Sequence, residues 1–248
     1  MLPRRLRLFL PFQFSNRGFG CCCDQDVVFK AIGPWWREGY LCTGCRSIPR
    51  ERALMYAIEQ HAPGWRTCSI HESSPADRGA SMRHKRECKD YVATQYFPGV
   101  PLGSVHKGIR CENLENLTFE DEAHDLHITQ DVFEHVLDPA SAFWEIARTL
   151  RPGGMHIFTV PLVQKEEPSI TCAVRGEGGA IEYKVEPEFH GNPISSEGSL
   201  VVTRWGYDIC DFILHNSGMV TSIVEMDSLE LGIRAEYNEV LVSRKAAK

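Results

Sequence analysis

Apolar positions along the chain switch repeatedly between a period of two and a period near 3.6, the signature of strands alternating with helices. "WRTCSIHE" (65–72), "DYVATQYF" (90–97) and the segment centred on Leu126–Thr129 read as strands, and "RGASMRHKRECK" (78–89) reads as a polar helix. An earlier helix takes Ser47 as N-cap and Pro49 in its first turn, sets Leu54, Ala57 and Ile58 on one face, and stops at Pro63-Gly64. Asp138-Pro139 opens another, with Phe143, Ile146, Ala147 and Leu150 at helical spacing and Gly153-Gly154 closing it. "MHIFTVPL" (155–162) is rich in β-formers. "GYDICDFILHNSG" (206–218) is a helix ended by Gly218, and "MVTSIVEM" and "EYNEVLVSRK" are two final strands.

Such alternation predicts an α/β, Rossmann-like, mostly parallel sheet flanked by helices. The last two strands have no helix between them, so the final one is expected antiparallel. In sheets of this kind ligands bind beyond the carboxyl ends of the strands, which is where chemistry is sought. The pattern divides the chain into a leader (1–18), a small turn-rich module with a strand at Val27–Lys30 (19–47), and the α/β domain (48–248) with an irregular insertion at about 163–203. The leader, "MLPRRLRLFLPFQF", has the arginine-then-apolar order of a signal peptide. Its apolar run is short and broken by Pro11, and no small-residue cleavage site follows, so it is expected to be disordered.

"DLHITQDVFEHVLDPASAFWEIARTLRPGGMHIFTVPL" (125–162) resembles the fourth strand, following helix and fifth strand of class I S-adenosylmethionine-dependent methyltransferases of type 11. Asp125, Glu134, His135, Leu150, Pro152, Gly153 and Gly154 fall on that family's pattern. The resemblance implies methyl transfer from S-adenosyl-L-methionine. On it, the loop "SIHESSPADRG" would receive the cofactor through His71, Glu72, Ser73 and Ser74. Gln95 and Tyr96 would stand at the ribose, Glu112 and Asn113 at the adenine, and Gln130 and Asp131 at the methionine end. Asp131 and His135 are catalytic candidates, with a structural role for His135 left open. The chain departs from the family in lacking the loop glycines and the ribose-binding acid. In this it is similar to a subgroup of bacterial methyltransferases with a cysteine-rich module ahead of the domain.

The insertion carries "PEFHGNP", where His190 could take a proton from an acceptor oxygen or nitrogen because its intrinsic pKa is near neutral. Glu188, Asn192, Arg204 and Trp205 could orient that acceptor, a small molecule or glycan; the alternative is a capped surface loop. Of ten cysteines, Cys42-x-x-Cys45 is half of a zinc knuckle and Cys21 with Cys23 a candidate second half, forming either one structural zinc site or a reduced cluster. Trp35 and Trp36 are expected to pack this module on the domain. A hydrophobic fraction of 43%, a charged fraction of 24% and a net charge of -6 describe a soluble globular chain and argue against nucleic acid as partner. "RHKRECK" is read as a solvated helix face rather than a binding patch. No run approaches the roughly 20 apolar residues of a membrane span. The cysteine distribution fits a reducing cytoplasm. The rival reading is a methyltransferase-like protein that binds or assembles without catalysis; acceptor and oligomeric state stay open.

Overall fold

The computed structural model describes residues 13–192 and 195–247; the leader expectation for residues 1–12 lies outside them. From residue 13 the leader expectation gives way to structure. Strand β1 (Gln13–Gly20) pairs antiparallel with β2 (Gln25–Ile32), which pairs with β3 (Tyr40–Cys42) after the one-turn helix α1 (Trp36–Gly39). Phe29, Ala31, Tyr40 and Cys42 make the buried core of this module.

The domain follows as α2 (Pro49–His61), β4 (Ser69–Ser73), α3 (Gly79–Glu87), β5 (Asp90–Gln95), β6 (Val105–His106), β7 (Ile109–Cys111), β8 (His124–Gln130), α4 (Pro139–Thr149) and β9 (Leu150–Thr159). The insertion, expected irregular, builds six short strands: β10 (Ile170–Thr171), β11 (Ala173–Arg175), β12 (Ile181–Tyr183), β13 (Phe189–Asn192), β14 (Ser195–Leu200) and β15 (Thr203–Arg204). They pair antiparallel as β10 with β15, β11 with β12 and β13 with β14. Helix α5 (Ile209–Ser217), β16 (Val220–Val224) and β17 (Val240–Arg244) close the chain.

The central sheet has the order β16-β17-β9-β8-β4-β5-β7-β6. Its inner strands are parallel from β7 to β9, and β17 is antiparallel to both β9 and β16, as the missing helix predicts. Side chains alternate across it. Ile70, Leu126, Ile128 and Ile157 pack against Leu54, Ile58 and Trp65 on the α2/α3 face, while Phe158 and Leu241 meet Phe143, Ile146, Ile209 and Ile213 on the α4/α5 face. Among the described residues no helix is long and apolar enough to cross a membrane.

Two boundaries differ from expectation. Helix α2 takes Ile48 as N-cap, its N–H donating to Glu51 Oε2 at 3.1 Å, because the Ser47 carbonyl is engaged by Arg52 and Cys42. Helix α4 ends at Thr149, and Pro152-Gly153-Gly154 lies inside β9 at a register shift against β8. A Cβ on Gly154 would sit 3.0 Å from the Asp125 carbonyl oxygen, so this bulge requires the glycine.

The module is joined to the domain by a buried cation. Arg52, fully enclosed, donates to the carbonyls of Tyr40, Ser47 and Gly232 and lies 4.7 Å from the Phe29 ring centre. Trp36 stacks on Phe14 within the module, while half-exposed Trp35 meets Tyr237 of the domain with ring centres 6.4 Å apart, so Trp35 contributes to the joint beside Arg52. The "RHKRECK" helix is likewise not uniformly solvated. Arg83 and His84 point inward, Arg83 donating to the Cys21 carbonyl, while Lys85 and Arg86 face solvent.

Candidate active site

The sheet order runs from β4 towards β5 on one side and towards β8 on the other, so the chain reverses direction between β4 and β8. A crevice forms where strands diverge in this way. Ser73 and Ser74 leave β4 at its rim, and Gln130 and Asp131 leave β8. Ser74 is left-handed (φ 55°), its N–H donating to the Thr94 carbonyl at 2.8 Å, and the turn ends at Gly79 (φ 57°), where a Cβ would run into the Glu51 carboxylate. The tight cofactor-type turn thus exists, with a serine in one of the places where glycine is the easy choice.

Glu72 does not face this crevice. It is fully buried on the α3 side and accepts from Ser81 Oγ (2.5 Å), Tyr91 Oη (3.0 Å) and Gln130 Nε2 (2.9 Å), with His84 Nδ1 at 2.9 Å. Burial alone would raise its pKa, but His84 and these donors outweigh it and hold the carboxyl below its usual range. Glu72 ties β4, α3 and β8 together, so the cofactor-ligand expectation is corrected for Glu72 and, through its amide, for Gln130.

His71 is corrected more sharply, because β-alternation turns it to the α4 face. There it stands in one row with His127 and His156, opposite each other across β4, β8 and β9. The Thr149 hydroxyl donates to the Glu145 carbonyl (2.8 Å) and so accepts from His127 Nε2 (2.8 Å). His127 Nδ1 must then accept from His71 Nδ1 (2.8 Å), and His71 Nε2 from Thr94 Oγ1 (2.8 Å). Every proton is placed when both rings are neutral. Burial, with the neighbouring histidines second, pushes both pKa values well below the imidazole range, and burial alone takes His156 to about 3. The row was missed in the sequence, although "IHE", "LHI" and "MHI" place a histidine mid-strand three times.

At the far rim Tyr96 is exposed and Gln95 half-buried, both free to face a ligand, whereas Glu112 is enclosed by Arg110 Nε (2.7 Å), Thr118 N (2.9 Å) and Thr118 Oγ1 (2.5 Å). Asn113 Oδ1 accepts from the Glu115 N–H at 3.1 Å. The Glu112 carboxylate is therefore structural.

Asp131 (φ 51°) is also committed. Its carboxylate pairs with Arg37 Nη2 (2.7 Å) and Arg50 Nε (2.9 Å) and accepts from Thr159 Oγ1 (2.9 Å). Burial opposes ionisation, yet Arg50 and Arg37 outweigh it and lower the pKa. A carboxylate held this firmly is too weak a base for proton abstraction, so the catalytic expectation for Asp131 is corrected to an ion-pair anchor. Sequence reasoning missed both arginines because α1 and α2 lie some eighty to ninety residues away in the chain.

Beside the crevice lies a cavity of about 220 Å³ lined by Glu134, Pro161, Val163, Gln164, Glu188, His190, Val201, Thr203 and Arg204. The insertion reaches it because the Glu134 carbonyl accepts from the Val202 N–H (2.7 Å) and His135 Nδ1 donates to the Leu200 carbonyl (2.8 Å). Glu134 Oε1 is 3.6 Å from His135 Nε2, and the buried Oε2 has no partner among the described residues. Burial first, then the Asp131 charge, raises the Glu134 pKa to about 8. His190 stands edge-on to His135 with ring centres 5.3 Å apart, and Glu188 lies 3.4 Å from His190 and 2.8 Å from Arg204. Glu188, His190 and Arg204, sought on the acceptor side, all line this cavity. Trp205 instead is core, donating to the Phe133 carbonyl at 3.2 Å, and the side chain of Asn192 lies outside the described residues.

In the module, Cys23, Cys42 and Cys45 bring their sulfurs within 4.8 Å of one another. Cys21 is not with them. Its thiol, like that of Cys22, turns to α2 and meets the Arg52 carbonyl at 3.2 Å. Hydrogen bonding from Cys45 lowers the Cys42 pKa to about 5 against the opposing effect of burial. The donor set suits zinc but is one ligand short of a closed tetrahedral site.

The strand order and reversal are those of the class I S-adenosylmethionine-dependent methyltransferase fold. A methyltransferase of this kind from Mesorhizobium loti superposes with a TM-score of 0.50 at 14% identity, over 78% of this chain and 98% of that one. Two others are a Methanosarcina mazei methyltransferase (TM-score 0.43, 15% identity, 74% and 94% covered) and the Burkholderia thailandensis 1,6-didemethyltoxoflavin-N1-methyltransferase (0.46, 13%, 79% and 78%). In sequence, residues 86–158, from the end of α3 through most of β9, match the family model described as a methyltransferase domain. No curated protein matches the chain.

Proposed function

We propose that the protein transfers a methyl group from S-adenosyl-L-methionine to an oxygen or nitrogen of a small molecule or sugar. The observation that carries this reading is the reversal crevice at β4/β8 placed directly beside the 220 Å³ cavity: Glu134 follows Asp131 by three residues and Pro161 follows Thr159 by two. That volume suits an acceptor of about one ring, below the ~300 Å³ at which drug-sized sites begin.

The crevice fits the cofactor in kind. The Ser73–Ser74 turn offers a close backbone approach, and Gln95 and the exposed Tyr96 ring suit the nucleoside end. When bound, S-adenosyl-L-methionine supplies a methyl group activated by its sulfonium. The acceptor's lone pair then forms the bond to the methyl carbon, the carbon–sulfur pair returns to sulfur, and the acceptor proton leaves to solvent past the exposed rim at Val163 and Glu188. The chain's own contribution is alignment and exclusion of bulk water.

The test is transfer of labelled methyl from S-adenosyl-L-methionine to a panel of hydroxylated and aminated single-ring compounds. Val163→Trp, at the half-exposed pocket mouth, is expected to cut transfer at least about ten-fold while leaving S-adenosylhomocysteine affinity unchanged. Loss of both, or of neither, would contradict the pocket assignment. The rival non-catalytic reading is favoured by the engagement of Asp131 and Glu112 in internal pairs; cofactor binding with no transfer to any acceptor supports it. In the module we assign Cys23, Cys42 and Cys45 to one structural zinc. Chelation or Cys42→Ser is expected to lower the melting temperature and release one zinc per chain; a melting temperature that neither treatment moves counts against the assignment.

A further inference from the structure

We propose that Glu134, His135 and His190 form a binding site for one divalent transition-metal ion at the floor of the acceptor pocket. The site is already shaped. One ligand atom from each of the three residues lies within 4.8 Å of the others. Ligands sharing an ion at bonds of about 2.1 Å stand about 3.0–3.5 Å apart, so the 3.6 Å between Glu134 Oε1 and His135 Nε2 is nearly right and His190 has only a short way to close.

Two further observations point to a ligand rather than a chance cluster. Glu134 is 3% exposed, lines the cavity, and leaves Oε2 without a partner among the described residues, a costly state for a buried acceptor unless something occupies it. His135 gives its Nδ1–H to the Leu200 carbonyl, which leaves the Nε2 lone pair aimed at Glu134. Metal-bound imidazoles are ordinarily oriented in this way, by a hydrogen bond from the other ring nitrogen to a carbonyl. Around the site, Glu188 lies 3.4 Å from His190 Nε2 and its second oxygen is neutralised by Arg204, so no unpaired cation opposes a metal.

Two imidazoles and one carboxylate suit first-row transition ions and leave coordination positions open. The open side faces the cavity, where an oxygen acceptor, a hydroxyl or a pair of adjacent hydroxyls, would complete the shell and become more acidic. This substrate class rests on the methyl-transfer reading; the site itself does not. It also changes the part assigned to His190, from proton acceptor to ligand, and couples the β13–β14 hairpin to the loop after β8.

The test titrates the chelator-treated full chain with Mn²⁺, followed by electron paramagnetic resonance, and with Co²⁺, followed by visible absorption. One ion per chain is expected in Cys42→Ser, where the thiol cluster is disabled, with Co²⁺ bands of nitrogen and oxygen ligation. His190→Ala, on the half-exposed hairpin, and Glu134→Gln are each expected to weaken binding at least about ten-fold, with the metal-free melting temperature of His190→Ala unchanged. Retention of neither ion by Cys42→Ser, or undiminished binding in both site variants, overturns the proposal. S-adenosylhomocysteine binding measured on the same samples separates that failure from failure of the methyl-transfer reading.

Discussion

Between pH 7.5 and pH 5 the buried histidine row and Glu134 together are expected to cost the metal-free protein about 3 kcal/mol of stability, a large part of what a domain of this size possesses. The sign follows from the histidine row. His71, His127 and His156 have folded pKa values below the unfolded one, so their contribution is intact above pH 6.5 and declines as pH falls through and below it. At pH 5 each buried ring that stays neutral costs about 2 kcal/mol relative to its protonated unfolded counterpart, about 6 kcal/mol for the three. Glu134 acts in the opposite direction. Its folded pKa of about 8 is above the unfolded value, so acidification over the same window returns about 3 kcal/mol. Urea unfolding at the two pH values measures the difference, and His156→Phe, which removes one titrating ring, is expected to shrink it by about 2 kcal/mol. Stability that is flat across the window would show that the row is protonated or open to water.

The second large effect is expected at Arg52. Replacing it with methionine leaves the carbonyls of Tyr40, Ser47 and Gly232 without their shared donor inside a closed seam. The expected cost is about 3–5 kcal/mol, a fall in melting temperature of roughly 10 °C for a chain of this length. Lysine should not rescue it, because a single ammonium cannot span acceptors that the guanidinium fork reaches from two sides. Calorimetric melting of the two variants decides the point. Since the arginine holds the module to α2, the same variants should expose the peptide bonds near Gly33 to protease before the domain itself is cut. An unchanged melting temperature in Arg52→Met would remove the seam from the account.

What the sequence disclosed follows from how local each signal is. Strand and helix alternation sets the parallel sheet, and the helix-free gap before Val240–Arg244 correctly predicts the antiparallel finish. His190, Glu188 and Arg204 line the cavity because the insertion folds back onto the loop from which Glu134 comes. The errors lie where one residue's meaning depends on another far away. His71 and Glu72 are neighbours in sequence and face opposite sides of the sheet, so a loop motif could not assign both to one ligand. Asp131 looked free because Arg37 and Arg50 enter from a separate module. Cys21 fits a C-x-C spacing with Cys23, yet the turn after β1 sends it to α2.

The central claim is that the crevice at β4/β8 receives S-adenosylmethionine. Calorimetric titration of the full chain with S-adenosylhomocysteine tests it most directly. Saturable micromolar binding at one site per chain is the predicted result. The absence of binding to the folded protein, with the module attached and the melting curve intact, would contradict it.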